Sequence, residues 1–361
     1  EIAPGEFSKV FFANSGSEAN DTMVKMVWYY NNAIGRPEKK KVISRLRGYH
    51  GIGIASGSMT GLPYAQRDFD LPLPFARHTV TPDYYRNAEP GESEEDFASR
   101  CAQALEEMIL EEGAETVAAF IAEPVMGAGG VVIPPKTYFE KVQAVLRKHD
   151  VLMVADEVIC GFGRTGNMWG SQTFNIEPDI VTCAKALSSA YLPISAVIIK
   201  EPLYRGLVKN SEKIGTFGHG YTYTAHPACA AAALRTQQLM EERDILGHVR
   251  AVSPRFEARV QALGDHPLVG QARGVGLLGA VELVQDKASK QSFDPAAKVG
   301  ALVMKTALEH GLIVRAVPGD IVCFCPPLVI SEAEIDDMFD RFERSMEDVS
   351  RALNAKGQAA Q

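Results

Sequence analysis

Apolar residues along the chain recur in two patterns, one typical of buried strands and one typical of amphipathic helices. Continuous apolar runs of strand length lie at 151–155 and 180–183, and each is followed by polar residues. Similar β-rich runs predict further strands at 9–13, 41–46, 117–122 and 194–199. We interpret these runs as strands of an open α/β sheet.

Apolar residues at helical spacing predict amphipathic helices between these strands. The first helix is predicted at 19–30, where the apolar residues lie on one face. A second is predicted at 93–112, with acidic residues in its first turn, where the helix dipole favours them. A third is predicted at 227–242, whereas residues 60–92 show no sustained period and are predicted to form a long loop.

The pattern changes to shorter alternating elements from about residue 245 onward. The predicted elements are helices at 249–263 and 295–310, strands at 276–283, 312–315 and 321–325, and a final helix from Ser331. We therefore predict a large domain at 1–244 and a smaller α+β domain at 245–361.

Composition limits the classes of protein to consider. The chain has 361 residues, 46% of them hydrophobic and 23% charged, so it can bury cores for two domains. Its formal net charge of -8 argues against nucleic acid or an anionic membrane surface as the main partner. We find no apolar run of about 18 residues and no signal-peptide pattern, so we expect a cytoplasmic protein. Because the sequence begins at Glu1 without a methionine, we expect a further N-terminal segment.

The six cysteines include no C-x-x-C pair. Cys323 and Cys325 alternate in an apolar segment and would lie on the same face of a strand, but this spacing supplies no further metal ligands. We therefore predict reduced cysteines that pack in the interior, and no metal site.

Two residues of different chemistry follow predicted strands. Asp156 comes directly after the run at 151–155, and Lys185 follows the run at 180–183. Ligands of open α/β sheets bind just past the carboxyl ends of strands, so both side chains could face one crevice.

A lysine in a pocket of low polarity can form a Schiff base with an aldehyde and afterwards move a proton. A carboxylate beside a pyridine nitrogen keeps that nitrogen protonated. Taken singly, Lys185 is most simply a solvated surface group and Asp156 a strand-end cap. Their joint placement predicts a site for pyridoxal phosphate (PLP).

Small residues at the start of the first predicted helix allow two interpretations. Ser15 and Glu18 match the S-x-x-E pattern of a capping box. Free backbone N–H groups at the same helix N-terminus would attract a phosphate, and the two interpretations are compatible.

Four other polar residues have both a local and a functional interpretation. Tyr49 could stack on a flat ring or pack on its own core, and His50 has the same alternatives. Glu123 is either a third acid at a strand end or an ordinary residue before a proline. Thr222 either supplies a hydroxyl to an anion or favours extended backbone.

Two matches to G-x-G-x-x-G support a competing hypothesis of dinucleotide binding. The match at 161–166 follows a strand, but the residues after it show no helical period. The match at 274–279 continues into a predicted strand. A dinucleotide motif opens a helix, so both matches are weak.

Several motifs then form a recognisable set, and they occur in this order: NSGSEAND, GYHG, AEPVMGAGG, DEVICGFGRTG, AKALSSAY, GHGYTYTAHP, and the late GLIVRA followed by PPL. Together they resemble the class III aminotransferases of the fold-type-I PLP enzymes, and the similarity covers nearly the whole chain. The resemblance implies a seven-stranded, mostly parallel sheet in the large domain. It also implies a homodimer or a tetramer with active sites at the subunit interface.

The same resemblance implies a role for individual residues. Lys185 would hold the cofactor as a Schiff base, and Asp156 would pair with its pyridine nitrogen. The remaining cofactor contacts would be Ser15, Gly16 and Ser17 at the phosphate, Tyr49, His50 and Val158 at the ring, the inner glutamate Glu123, and Thr222 at the phosphate of the partner subunit's cofactor.

Within the family, AEPVMGAGGV and MTGLPYAQ are most similar to the omega-transaminase branch, which uses ω-amino acids or simple amines with pyruvate as the acceptor. Arg315 corresponds to an arginine that binds the carboxylate of the acceptor, although RAVPGD carries one extra residue relative to the pattern. Tyr49 and Tyr221 are the other expected substrate contacts. The expected reaction is amino transfer in two half-reactions (ping-pong). The alternatives are decarboxylation or amino migration on the same cofactor, or a non-catalytic PLP-binding protein.

Overall fold

Seven strands form one sheet in the N-terminal part of the chain. The structure, a computed structural model, describes residues 2–359. The strands are β1 (Phe7–Ala13), β2 (Lys41–Arg45), β3 (Ala76–Thr79), β4 (Val117–Ala122), β5 (Leu152–Asp156), β6 (Ile180–Cys183) and β7 (Ser195–Lys200). Their order across the sheet is β1-β7-β6-β5-β4-β2-β3. β7 runs antiparallel to both of its neighbours, β1 and β6, and every other pair in the sheet is parallel, so the expected mostly parallel α/β sheet is confirmed.

Helices cover both faces of this sheet. The helices of this part of the chain are α1 (Gly16–Ala33), α2 (Ile54–Met59), α3 (Tyr84–Asn87), α4 (Glu94–Glu112), α5 (Tyr138–Lys148), α6 (Gly170–Thr173), α7 (Glu201–Ile214) and α8 (Pro227–Glu242). Successive strand residues point to opposite faces, so Val42 of β2 packs in a core with α1 and α7, and Ile43 packs in a core with α4 and α5.

The second sheet is antiparallel and smaller. It contains β8 (Val269–Val275), β9 (Leu278–Leu283), β10 (Arg315–Val317) and β11 (Ile321–Phe324), in the order β10-β11-β9-β8. The helices of this part are α9 (Ile245–Ala262), α10 (Val299–Glu309) and α11 (Glu332–Ala359). A smaller α+β part with an antiparallel sheet therefore follows the large one.

The chain divides into two compact units close to the predicted boundary. The first unit contains 1–127, 134–163 and 167–243, and the second contains 128–133, 164–166 and the residues from Asp244 onward. The predicted domains at 1–244 and 245–361 differ in that two short segments of the N-terminal part belong to the second unit. Hydrogen bonds explain their placement. Arg273 donates to the carbonyls of Gly130 and Val131. The Leu277 N–H donates to the Arg164 carbonyl at 3.1 Å, and Arg250 Nε donates to the Gly166 carbonyl at 2.7 Å.

Three local predictions differ from the structure in bounds or in type. The long loop at 60–92 contains the short edge strand β3. The strand predicted at 276–283 is present as β9, but it begins two residues later because Gly276 (φ +59°) lies in the turn after β8, and β8 was not predicted. The strand predicted at 312–315 lies at β10 instead, because the turn at Gly319 (φ +90°) aligns Val317 with Ile321. Among the described helices, none combines the length and apolar character needed to cross a membrane.

Candidate active site

Asp156 and Lys185 line the same cavity. Asp156 is the last residue of β5, and Lys185 lies two positions beyond the end of β6, which is the parallel neighbour of β5. The cavity has a volume of about 450 Å³, within the usual range for small-ligand sites. The placement of the acid and the lysine in one crevice is as the sequence predicted.

Three donors hold the Asp156 carboxylate. Oδ2 accepts from His50 Nδ1 at 2.8 Å and from Asn20 Nδ2 at 2.9 Å, and Oδ1 accepts from the Val158 N–H at 3.1 Å. Burial by itself raises the pKa of Asp156, but the hydrogen bonds from His50 and Asn20 and the charge of His50 together lower it. The site therefore keeps an ionised carboxylate in a buried position.

Glu123 is the second buried carboxyl group of the cavity. It follows β4, and its side chain accepts from the Tyr49 N–H at 3.0 Å and the Gly127 N–H at 2.9 Å. Burial raises the pKa of Glu123, although the charge of His50 and the Tyr49 hydrogen bond act against this. Glu123 thus fixes the backbone at Tyr49, whose half-buried side chain also lines the cavity.

The N-terminus of α1 lies at the cavity as well. Ser15 is the N-cap residue and accepts from the Glu18 N–H at 3.2 Å, while Glu18 Oε2 accepts from the Asn14 N–H at 2.7 Å. Only the serine half of the expected capping box therefore has its usual partner. Ser15, Gly16 and Ser17 line the cavity, where the free N–H groups and the helix dipole favour an anion.

Gly16 lies close to Val158, which also lines the cavity. A Cβ atom on Gly16 would lie 3.2 Å from both Cγ atoms of Val158. The absence of a side chain at this position therefore keeps the start of α1 open toward the cavity.

The loop after Lys185 has an unusual backbone. Lys185, Ser189 and Ala190 have φ angles of +38°, +50° and +62°, a region that residues with a Cβ rarely adopt. Lys185, Ala190 and the exposed Tyr191 all line the cavity. Such strain is found most often where the surrounding structure must hold a functional side chain in one position.

These residues fit PLP. An ionised Asp156 matches a protonated ring nitrogen, the start of α1 matches a phosphate, and Lys185 supplies the amine. Val158 contributes an apolar side chain to the lining of the cavity. The roles of the individual residues stay predictions, but the donor set is the one that this cofactor requires.

Three expected site residues do not line this cavity. Tyr221 donates to the Glu18 carbonyl at 3.3 Å and accepts from the Thr22 hydroxyl at 3.4 Å, so it packs on α1. Thr222 is exposed, and Arg315 begins β10 in the second unit.

Asn20 is a site residue that the sequence analysis missed. Besides Asp156, its amide donates to the His50 carbonyl at 2.7 Å. The available signal was its helical spacing to Met23, Val24 and Val27, which are buried in the same helix. Ile159 and the segment 188–194 also line the cavity, apart from Ser189, and they were not singled out.

Neither glycine motif has the structure that dinucleotide binding requires. The residues 161–166 lead into turns, and the next helix, α6, has four residues. The residues 274–279 span the turn between β8 and β9. The dinucleotide hypothesis therefore receives no support.

Comparisons with known proteins identify the family. The model of the aminotransferase class-III family matches residues 1–346. An uncharacterized aminotransferase, y4uB of Sinorhizobium fredii, is 51% identical over 360 residues, which is 99% of this chain and 77% of that protein. Gamma aminobutyrate transaminase 3, chloroplastic, of Solanum lycopersicum is 50% identical, over 96% of this chain and 67% of that protein.

Solved structures agree with these relatives. The omega transaminase from Pseudomonas jessenii in complex with PMP superposes with a TM-score of 0.96 at 53% identity, covering 98% of this chain and 78% of that one. A structure described as a transaminase with L-ala superposes with a TM-score of 0.96 at 54% identity, over 98% of this chain and 83% of that one. The chain therefore belongs to the class III aminotransferases, which use PLP as their cofactor.

Proposed function

We propose that this chain is an omega-transaminase that transfers an amino group from an ω-amino acid or a simple amine to a keto acid, with pyruvate as the acceptor. The proposal rests mainly on one observation, the presence of Asp156 and Lys185 in one cavity at the ends of adjacent parallel strands. Relatives named as omega and gamma-aminobutyrate transaminases support this branch. The transfer would proceed in two half-reactions that share the same site.

The chain's own residues would hold the cofactor at both of its ends. Asp156, oriented by His50 and Asn20, would hold the ring nitrogen in its protonated form. The N–H groups at Ser15–Ser17 would bind the phosphate. When bound, PLP supplies an electron sink that stabilises negative charge on the carbon carrying the amine.

Lys185 would act as both the anchor and the proton carrier. Its Nζ amine would bind the cofactor in the resting enzyme and be released when the amine substrate arrives. The free Nζ would then take a proton from the substrate carbon and return it at the cofactor carbon. Tyr49, which lines the cavity, would limit the positions that the cofactor ring and the substrate can take there.

The remaining predicted contacts would come from outside this cavity. Thr222 is exposed, which supports its proposed role at the cofactor of a partner subunit in a homodimer. Arg315 would bind the carboxylate of the acceptor, and Tyr221 would contact the substrate. The cytoplasmic location expected from the sequence stays a prediction, since the tomato relatives are named as chloroplastic and mitochondrial.

The test uses the visible absorption spectrum of the protein loaded with PLP. 1-Phenylethylamine, β-alanine and taurine are added separately, and pyruvate is added afterwards. We expect at least one donor to abolish the visible absorption band of PLP bound to Lys185. Pyruvate should then restore this band, with formation of alanine. A band that no donor changes would contradict amino transfer, and release of carbon dioxide or an isomerised amine without a keto acid would identify the alternative reactions.

A further inference from the structure

Glu157 is a buried carboxyl group that the proposed reaction does not use. It follows Asp156 directly, but its side chain does not line the cavity and is 0% exposed. Its carboxylate accepts from the Gly170 N–H at 2.9 Å and from the Ser171 N–H at 2.6 Å. The side chain thus binds the first two residues of α6.

These hydrogen bonds join the two ends of the loop between β5 and α6. The chain leaves β5 at Asp156 and returns at Gly170, and Glu157 connects the two ends. The Glu157 backbone is fixed as well, since its N–H donates to the Thr182 carbonyl at 2.8 Å and its carbonyl accepts from the Gly161 N–H at 2.9 Å. One residue therefore joins the end of β5, strand β6, the loop and α6.

The first residues of this loop form part of the cavity wall. Val158 and Ile159 both line the cavity, and the Val158 N–H is one of the three donors to Asp156. A shift of the backbone at Val158 would therefore have two effects. It would move the part of the cavity wall formed by Val158 and Ile159, and it would weaken the hydrogen bond from the Val158 N–H to Asp156.

The return of the loop is tightly packed against its start. A Cβ atom on Gly170 would lie 2.6 Å from the Cβ of Cys160 and 3.1 Å from Glu157 Oε2. The rings of Phe162 and Trp169 lie with their centroids 4.9 Å apart. Because the loop is tightly packed, a displacement of the backbone at Glu157 should also displace the residues of the cavity wall, Val158 and Ile159.

We propose that Glu157 is a positioning residue that holds the Val158–Ile159 wall and the Val158 N–H in the arrangement that PLP binding requires. This inference rests on the proposed function. An acid at this position is costly, since burial raises the pKa of Glu157 to about 7 against the hydrogen bonds from Ser171 and Gly170.

The test compares the PLP affinity of four proteins by equilibrium dialysis, with the urea midpoint of each measured in parallel. They are the wild type, Glu157→Gln, Glu157→Leu and Ile109→Val. Glu157→Gln keeps an acceptor for one N–H group, and Glu157→Leu keeps none. Ile109→Val shortens a fully buried side chain of α4 that does not line the cavity, so it lowers stability alone.

We expect Glu157→Gln to bind PLP about tenfold more weakly, as loss of one hydrogen bond to a charged group implies. Glu157→Leu should bind more weakly still, and Ile109→Val should bind like the wild type. Wild-type affinity in both Glu157 variants would overturn the inference and leave the proposed function intact. A wild-type protein that binds no PLP would overturn the proposed function first and this inference with it.

Hydrogen exchange in the wild type tests the same inference without a variant, in case the Glu157 variants do not fold. Addition of PLP should slow exchange at the amides of Gly170 and Ser171, which donate to Glu157. Unchanged exchange at both amides, in protein that has bound PLP, would overturn it.

Discussion

Replacement of Asn20 by Ala tests how the protein keeps Asp156 ionised. Asn20 lies in α1 and is 1% exposed, and its Nδ2 donates to the Asp156 carboxylate at 2.9 Å and to the His50 carbonyl at 2.7 Å. The variant removes both hydrogen bonds and keeps His50 as a donor to the carboxylate. Because the bond from Asn20 helps to lower the pKa of Asp156, its loss should raise that pKa.

The expected effect on cofactor affinity follows from the charged partner. A hydrogen bond to a charged group contributes about 1.5–3 kcal/mol, so Asn20→Ala should weaken PLP binding by about 10- to 150-fold. The assay is equilibrium dialysis with PLP at pH 7.5 and again at pH 5.5. The ratio of affinities between variant and wild type should be larger at the lower pH, where the raised pKa leaves less of Asp156 ionised.

Asn31 in the same helix supplies a matched control. It is also buried, and its Nδ2 donates to the Val27 carbonyl at 2.9 Å, but it does not line the cavity. Asn31→Ala should lower stability and leave PLP affinity unchanged. Equal losses of affinity in the Asn20 and Asn31 variants, or no loss in the Asn20 variant, would refute the electrostatic account of Asp156.

Three further predictions concern the cavity, the buried acid and the second unit. Gly16→Ala should weaken PLP binding, because its Cβ would lie 3.2 Å from Val158 in the cavity, and should change the urea midpoint little. PLP affinity equal to that of the wild type in equilibrium dialysis would contradict the proposed phosphate site at the start of α1. Burial raises the pKa of Glu157 from 4.5 to about 7, so its contribution to stability is complete below pH 4.5 and is lost as the pH rises to about 7. The unfolding free energy of the apo protein should therefore fall by up to about 3 kcal/mol over this range relative to Glu157→Gln, and parallel pH profiles of the two proteins would refute this. Arg273→Met should destabilise the protein by about 3–5 kcal/mol in urea unfolding, since it removes one side of a buried 3.1 Å ion pair together with the hydrogen bonds that Arg273 donates to Gly130 and Val131; a change below about 1 kcal/mol would contradict it.

The central part of the site could be predicted because it depends on short local patterns. The apolar run of β5 ends at Asp156, and that of β6 ends two residues before Lys185, so the strand ends were readable from the sequence. The parallel pairing of β5 with β6 then brings the two side chains to one cavity. Helix α4 and strand β4 were likewise placed within one residue at each end, since the apolar residues of α4 follow the helical period and β4 is one continuous apolar run.

Other features depend on tertiary contacts that no local pattern shows. Asn20 acquires its role from a partner 136 positions along the chain. The loop at 188–194 owes its shape to positive φ angles at Ser189 and Ala190, where no glycine marks the turn. Helix α5 is different, because Tyr138, Val142 and Leu146 lie on one buried face and gave a readable signal that the sequence analysis passed over.

The most direct measurement identifies the lysine that carries the cofactor. The protein is loaded with one equivalent of PLP, reduced with borohydride, digested, and mapped by mass spectrometry, with Lys185→Ala and Lys200→Ala treated in the same way. We predict stoichiometric labelling of the peptide that contains Lys185 in the wild type and in Lys200→Ala, and loss of that labelling in Lys185→Ala with no change in folding. Stoichiometric labelling of a different lysine, or labelling of Lys185→Ala equal to the wild type, would contradict the central claim.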